Sequence, residues 1–286
     1  MSVSRSLVQA FYQAYARRDV AAVMEFIADD IDWKFLGPVE VFPFCGHRHG
    51  KAAVIDHFSR LIPTRFAVRR FEPDELVIDG NRAASFSKIT SVEKGSGRTL
   101  TYHCAHFITF RDGKVVSMRA IADTFSVLEQ LSCVELVVGP QGGELSPCDV
   151  ASMPDLPAPP MPQTGPALPP PVAKFYEAYL AGDAGALEEV LDDDVSWLIS
   201  GPADYVDLYG FRRGKAQVIE LITRVMPCYH RITGFEIEQL LVQDGHFAIL
   251  GRVGSRQRET GRALRFGYTH FLQFRGGKLV AFRALA

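Results

Sequence analysis

Two tandem α+β domains are what this sequence predicts, and three observations lead there. The first is a β-hairpin pattern over Thr101–Asp123, TYHCAHFITFRDGKVVSMRAIAD, in which two strand-like runs flank Asp112-Gly113. Gly at such a turn supplies the positive φ that two-residue hairpin loops require. The second is the return of that stretch as Arg265–Ala286, RFGYTHFLQFRGGKLVAFRALA, with Gly276-Gly277 at the turn. His106 falls on His270, Phe110 on Phe274, Lys114 on Lys278 and Arg119 on Arg283, each pair 164 residues apart. The third is that 22 of the 56 positions from Val8 to Pro63 repeat at the same spacing without a gap. A one-residue slip is expected near Asp79-Gly80/Asp244-Gly245, recovered by Gly97/Gly261. Copies of this size are globular domains, not solenoid units of roughly 20–50 residues. The boundaries are 1–138 and 172–286, with a linker at 139–171.

Each copy opens with a helix. Val8, Phe11, Tyr12 and Tyr15 follow the i, i+3, i+4, i+7 pattern of one buried face, and Val172, Phe175, Tyr176 and Tyr179 repeat it. Asp19 and Asp183 are placed to cap second helices at Val20–Ala28 and Ala184–Leu191. A strand holding Trp33 or Trp197 follows, then a Gly-Pro loop and a third helix after Gly50 or Gly214. Strand patterns then cover Glu75–Asp79, Ala83–Glu93, Thr99–Arg111 and Lys114–Ala122. Three helices and a mostly antiparallel sheet with one covered face result.

The linker holds 11 of the 17 prolines in 33 residues, a composition that favours extended polyproline backbone. The chain is 47% apolar, enough for each copy to bury a core. A net charge of −2 leaves no basic footprint for nucleic acid or an anionic membrane. Apolar runs fall short of the roughly 20 residues a membrane helix needs, and the first 15 residues lack the apolar centre of a signal peptide. Five cysteines, none matched between copies, predict neither a disulfide framework nor a zinc site and make the cytoplasm the default location. No cofactor or metal is expected.

The stretches FYQAYARRD, ADDIDW, GHRHGKAAVIDHF and HFITFRDGKVVSMRAIAD, with their second-copy counterparts, carry a family resemblance. The chain resembles the SnoaL-like, ketosteroid isomerase-like group of the nuclear transport factor 2-like superfamily. The resemblance covers both copies and implies cone-shaped, cystatin-like domains, each with helices closing a curved sheet around an apolar pocket. Its members include isomerases, polyketide cyclases, dehydratases, epoxide hydrolases and plain binding or scaffold domains, so the fold does not choose among them.

The resemblance places the acid that stabilises the isomerase's dienolate near His106. A neutral imidazole there can donate to an oxyanion or act as a base, or it can be a core histidine bonded to a tyrosine or a carbonyl. The isomerase's proton-shuttling Asp maps to Phe35 and Ile199, and its tyrosine donor maps to Phe11 and Phe175, which argues against steroid isomerisation. The acid of polyketide cyclases maps to Asp123, which either turns inward at a bulge or pairs with Arg119 on the surface. His47-x-His49 has metal-ligand spacing without a diagnostic third ligand. Candidate catalytic residues are therefore His106 and Asp123. Candidate pocket residues are Tyr15, Trp33, Phe35, His47, Tyr102, Cys104 and Met118, with Tyr179, Trp197, Tyr268 and His270 in the second copy.

Two functions follow. One is an acid–base cyclase, isomerase or dehydratase acting on a small apolar molecule, its chemistry in the first copy. The other is a non-catalytic ligand-binding or dimerisation module whose copies pair with each other. The discriminating observation is the cone itself. Convergent titratable groups favour the enzyme; a cavity filled by Phe35, Phe42, Phe44 and Phe110 favours the module.

Overall fold

A computed structural model of the chain describes residues 2–132, 165–201 and 207–286. Of the expected linker, 139–164 lies outside the described residues. The first copy opens with α1 (Arg5–Arg17) and α2 (Val20–Glu25), the latter capped by the Asp19 carboxylate, which accepts from the Ala22 amide at 3.0 Å. α2 stops short of the expected Ala28 because Ile27 already pairs with Val115 in the sheet. β1 (Ile27–Leu36) and β2 (Gly46–His49) follow, then α3 (Lys51–Asp56), a π-helical turn at His57–Leu61, and α4 (Ile62–Arg65). Pro63 lacks an amide donor and its ring crowds the carbonyl four residues back, which widens the preceding turn. The second copy, with Pro227, has the same widened turn at Leu221–Val225.

The sheet continues with β3 (Phe66–Asp79), β4 (Arg82–Glu93), β5 (Thr99–Arg111) and β6 (Lys114–Ala122), and α5 (Thr124–Leu131) closes the copy. Strand order is β2-β1-β6-β5-β4-β3, antiparallel except for the β1–β6 pair. β3 is longer than the expected Glu75–Asp79. Pro73 reads as a breaker, but β3 is an edge strand and bulges at Pro73/Glu75, where a missing amide is tolerated.

The second copy repeats this plan. Its helices are α6 (Pro170–Ala181), α7 (Ala184–Val190), α8 (Lys215–Glu220) and α9 (Met226–Tyr229). Its sheet holds β7 (Leu191–Ile199), β8 (Gly210–Arg213), β9 (His230–Gln243), β10 (His246–Gln257), β11 (Ala263–Arg275) and β12 (Lys278–Leu285), in order β8-β7-β12-β11-β10-β9. The expected one-residue slip does not exist. His230 follows Phe66, and His246 follows Arg82, by the same 164 residues as every other pair. The shared Asp-Gly misleads: Asp79 ends β3, whereas Asp244 and Gly245 are themselves the turn residues, with φ 47 and 78. Both turns of the Asp112-Gly113 and Gly276-Gly277 hairpins have positive φ at both positions, as the sequence predicts.

In each copy the helices cover one sheet face. Trp33, Phe35, Cys104, Ile108, Met118 and Ala120 join Phe11, Tyr12 and Tyr15 in the first core, and Trp197, Tyr268, Leu272 and Phe282 join Phe175, Tyr176 and Tyr179 in the second. No helix among the described residues is long and apolar enough to cross a membrane. Cys45 and Cys104 are free buried thiols, while Cys228 stands in a disulfide.

α5 depends on its first residue. Asp123 is its N-cap, buried, accepting from the Ser126 amide at 2.9 Å and the Ser126 hydroxyl at 2.7 Å. Asp123→Ala should destabilise the first domain by about 1 kcal/mol, while Asp123→Asn, which caps nearly as well, should cost only a few tenths. Denaturant unfolding of the two variants checks this; equal losses would show that capping is not what Asp123 contributes.

Candidate ligand site

The site is assembled from α1 and the inner face of β5. The helical period puts Tyr12 and Tyr15 toward the sheet, and strand alternation puts Cys104 and His106 toward the helix. His106 is 1% exposed and lies nearly parallel to two neighbouring aromatic rings, Tyr12 at 6.1 Å and 2° and Phe71 at 5.6 Å and 11°, with the Tyr15 ring edge-on at 5.3 Å. Its Nε2 lies 3.4 Å from the Cys104 sulfur, and its Nδ1 has no hydrogen-bond partner among the described residues. Burial, with a contribution from the Arg18 charge, pushes its pKa down to about 3. The ring is therefore neutral at pH 7, able to donate one proton in a hydrogen bond and a poor base. Tyr12, which would otherwise reach it, accepts instead from the Ser85 hydroxyl at 2.8 Å.

Beside this stack lies a cavity of about 40 Å³, room for a few waters. Its wall combines Tyr15, Phe35, Tyr102 and Cys104 with Arg18, Phe42, Phe44, Phe66, Phe71, Ile89, Ala122, Thr124 and Val127, among others. Four of the expected pocket residues are thus brought together. Burial raises the pKa of Tyr15 and Cys104 and pushes Tyr102 up to about 12, so these groups stay protonated. Among the described residues no histidine or carboxylate is on the wall. His106 sits behind Tyr15, Phe71 and Cys104.

The remaining candidates of the first copy lie elsewhere. Trp33 and Met118 are fully buried and paired across β1 and β6, and neither is on the cavity wall. Asp123 holds the start of α5 and is flanked by two wall residues, Ala122 and Thr124, without being one itself. The expected choice between an inward Asp123 and an Arg119 pair is corrected: Arg119 donates to the Asp32 carboxylate and carbonyl. His47 also bonds Asp32, on the sheet face opposite Trp33 and Phe35, with 60% of its side chain exposed. It does not reach the cavity, because β2 alternates and turns Arg48 rather than His47 inward. Partial burial works against the Asp32 charge, yet the Arg119 and His47 bonds hold its pKa below the usual value. Among the described residues no group of three or more His, Cys, Asp or Glu is gathered to hold a metal, the His47-x-His49 pair included.

In the second copy larger side chains stand at the same positions. Cys104 becomes Tyr268 and Met118 becomes Phe282. Phe282 stacks on Trp197 at 3.7 Å and 9°, and His270 is held 4.5 Å from Tyr268 and 4.7 Å from Phe282. Tyr268 fits because its strand partner is Gly251, where Ser87 stands in the first copy. A Cβ at Gly251 would lie 2.7 Å from the Tyr268 ring and 2.1 Å from the Glu236 carbonyl. Tyr176 and His270 Nδ1 bond at 2.8 Å, so this histidine is a bonded core residue, with burial pushing its pKa to about 3. Tyr179 packs in the same core, its hydroxyl against the Met226 sulfur at 3.8 Å.

Two residues escaped sequence reasoning. Arg18 stands on the cavity wall, and His57 is buried in the π-helical turn with both ring nitrogens unpartnered among the described residues. The 164-residue alignment carried a signal for both, since they face Gly182 and Leu221. Burial, with Arg48 and Arg18 adding, pushes His57 down to about 3. An unfolded histidine takes up a proton below about pH 6.5, whereas the folded one stays neutral until about pH 3. The stability held above pH 6.5 is therefore lost as pH falls, at about 1.4 kcal/mol per pH unit for each such histidine. His57→Leu should make the pH dependence between 6 and 4 shallower by about that amount, measured by denaturant unfolding at several pH values. An unchanged slope would mean that His57 does not stay neutral in the folded domain.

The SnoaL-like domain pattern matches residues 8–118 and 172–282. No curated protein matches the chain. Among solved structures, one from Rhodopseudomonas palustris, provisionally named an isomerase, is 31% identical; the match covers 43% of this chain and 91% of that one, with a TM-score of 0.39. A nuclear transport factor 2-like protein of unknown function from Burkholderia pseudomallei is 28% identical over 44% of this chain and 95% of its own, with a TM-score of 0.41. Another from Burkholderia xenovorans is 27% identical over 44% and 92%, with a TM-score of 0.38. With two matched segments that together span most of its length, the chain belongs to the SnoaL-like domain family, in tandem duplication.

Proposed function

We propose that the first copy binds a small, largely apolar ligand in its cone and that the second copy is a filled structural counterpart. One observation carries this reading: the cavity wall is mostly aromatic and aliphatic, with three of the four marker phenylalanines on it, and among the described residues no histidine or carboxylate is there. General acid–base work needs a side chain that changes charge near pH 7 within reach of the substrate. Binding does not. A ring larger than the present space enters only if the 37–45 loop, which carries Phe42 and Phe44 between β1 and β2, moves outward.

A second reading, turnover in the first copy with His106 and Asp123 as acid–base groups, has one specific support. The His106 Nδ1 is buried without a partner among the described residues, and an unpaired buried polar atom is costly to keep unless something uses it. In that reading the neutral imidazole donates to a developing oxyanion rather than removing a proton. Pairing of the two copies is also a proposal. On each sheet's outward face Phe107 and Phe271 recur beside Ala105/Thr269 and Thr109/Gln273, a mixed surface suited to burial against another sheet.

The test of the binding reading writes the second copy's packing into the first: Cys104→Tyr combined with Ser87→Gly. In the wild-type chain, small aromatic probes should raise the unfolding midpoint, by about 2.7 kcal/mol of stabilisation at a hundredfold excess over Kd. The filled variant should fold as well and lose that shift. A filled variant that still responds fully would place the ligand elsewhere. Turnover that vanishes with His106→Gln and persists in His270→Gln would favour the second reading.

A further inference from the structure

Arg18 is a residue that the backbone does not need. It caps the C-terminus of α1 with φ 58 and ψ 28, a left-handed conformation in which a Cβ crowds the neighbouring carbonyl. The second copy makes the same turn with Gly182 at φ 62 and ψ 30, and the two caps donate to equivalent carbonyls, Ala14 and Tyr15 in one, Ala178 and Tyr179 in the other. Glycine is the relaxed solution there. The first copy keeps an arginine in a strained position, and such outliers gather where a side chain is wanted for something other than the fold.

What the side chain does is visible in its surroundings. Its guanidinium lies 5.6 Å from the ring centres of both Tyr15 and Phe58, and among the described residues it is the one charged group on the cavity wall. It forms no ion pair among them. Its charge nevertheless reaches inward, contributing to the lowered pKa values of His106 and His57. An unpaired cation beside an apolar cavity attracts an anion more strongly than it would in water.

We propose that Arg18 is the anion-recognition residue of the first cone, which takes a small aromatic carboxylate or similar ring-borne oxyanion, ring inward and charge at the guanidinium. The planar fork of arginine matches a carboxylate with two parallel hydrogen bonds. The Tyr15 and Tyr102 hydroxyls, on the same wall, are further donors for an oxygen held there. This inference rests on the reading that the first cone binds a small apolar ligand, and it adds the sign of that ligand's charge.

The test titrates the full chain with benzoate and with benzyl alcohol, following backbone amide signals by NMR. Both probes should move the amides of Ala122, Thr124 and Val127, with benzoate bound about tenfold more tightly. In Arg18→Gly, benzoate should weaken by about tenfold and benzyl alcohol by less than about twofold, while the melting midpoint stays or rises because glycine relaxes the turn. Should that variant fold poorly, Arg18→Asn, which also tolerates left-handed backbone, carries the same measurement. Equal benzoate binding by variant and wild type overturns the inference. So does a wild-type chain that binds benzyl alcohol but does not prefer benzoate, and both of these leave the cone reading standing. If neither probe moves those amides, the cone reading falls together with the inference.

Discussion

The interior of each copy depends on a histidine from the sheet held neutral among aromatic rings. His106 lies parallel to Tyr12 and Phe71, and His270 lies against Tyr176 and Phe235 in the same arrangement. Removing an imidazole from water leaves only its uncharged form affordable in a low-dielectric core. The stack joins α1 or α6 to the middle of the sheet, because the tyrosine comes from the helix and the histidine from the strand. The rest follows from that contact: the helix lies over the concave face, and the aromatic residues one turn further on, Tyr15 and Tyr179, are positioned beside it.

The two copies then use the same frame differently. A polar partner for the helix tyrosine comes from Ser85 in the first copy and from the histidine itself in the second, where Ile249 occupies the serine's place. That exchange leaves His106 Nδ1 unpaired and binds His270. Volume moves the same way. Tyr268 and Phe282 are larger than the Cys104 and Met118 whose places they take, and Gly251 gives up its side chain so that the Tyr268 ring fits. Each change is small, but close packing makes them mutually dependent, since one ring's space must be another residue's absence.

What repeats unchanged is structural. Arg119 and Arg283 each tie the last strand to the first through a carbonyl of β1 or β7, Asp32 and Ser196 respectively. Asp19 and Asp183 cap their helices through equivalent amides. Recurrence in both copies therefore marks the scaffold in this chain, and difference between copies marks the cavity.

The sequence by itself determined the duplication, the helix faces, the hairpin turns and the strands of the β5–β6 hairpin. These rest on local rules: helical period, strand alternation, capping and the positive φ of Asp112-Gly113. It also named four residues of the wall, Tyr15 from the buried face of α1, Phe35 from β1, and Tyr102 and Cys104 from β5, where strand alternation puts the last two on one face. Only the tertiary structure decided the rest. Whether Asp123 faces a cavity or caps α5 depends on a helix start beyond the strand end, and whether His47 faces inward depends on how β2 pairs with β1. The missing register slip belongs here too, since identical Asp-Gly letters occupy different places in two turns that only strand pairing aligns. Arg18 reaches the cavity wall, and His57 its buried place in the π-helical turn, through packing between helices and sheet, a relation between residues distant in the chain that no local period encodes.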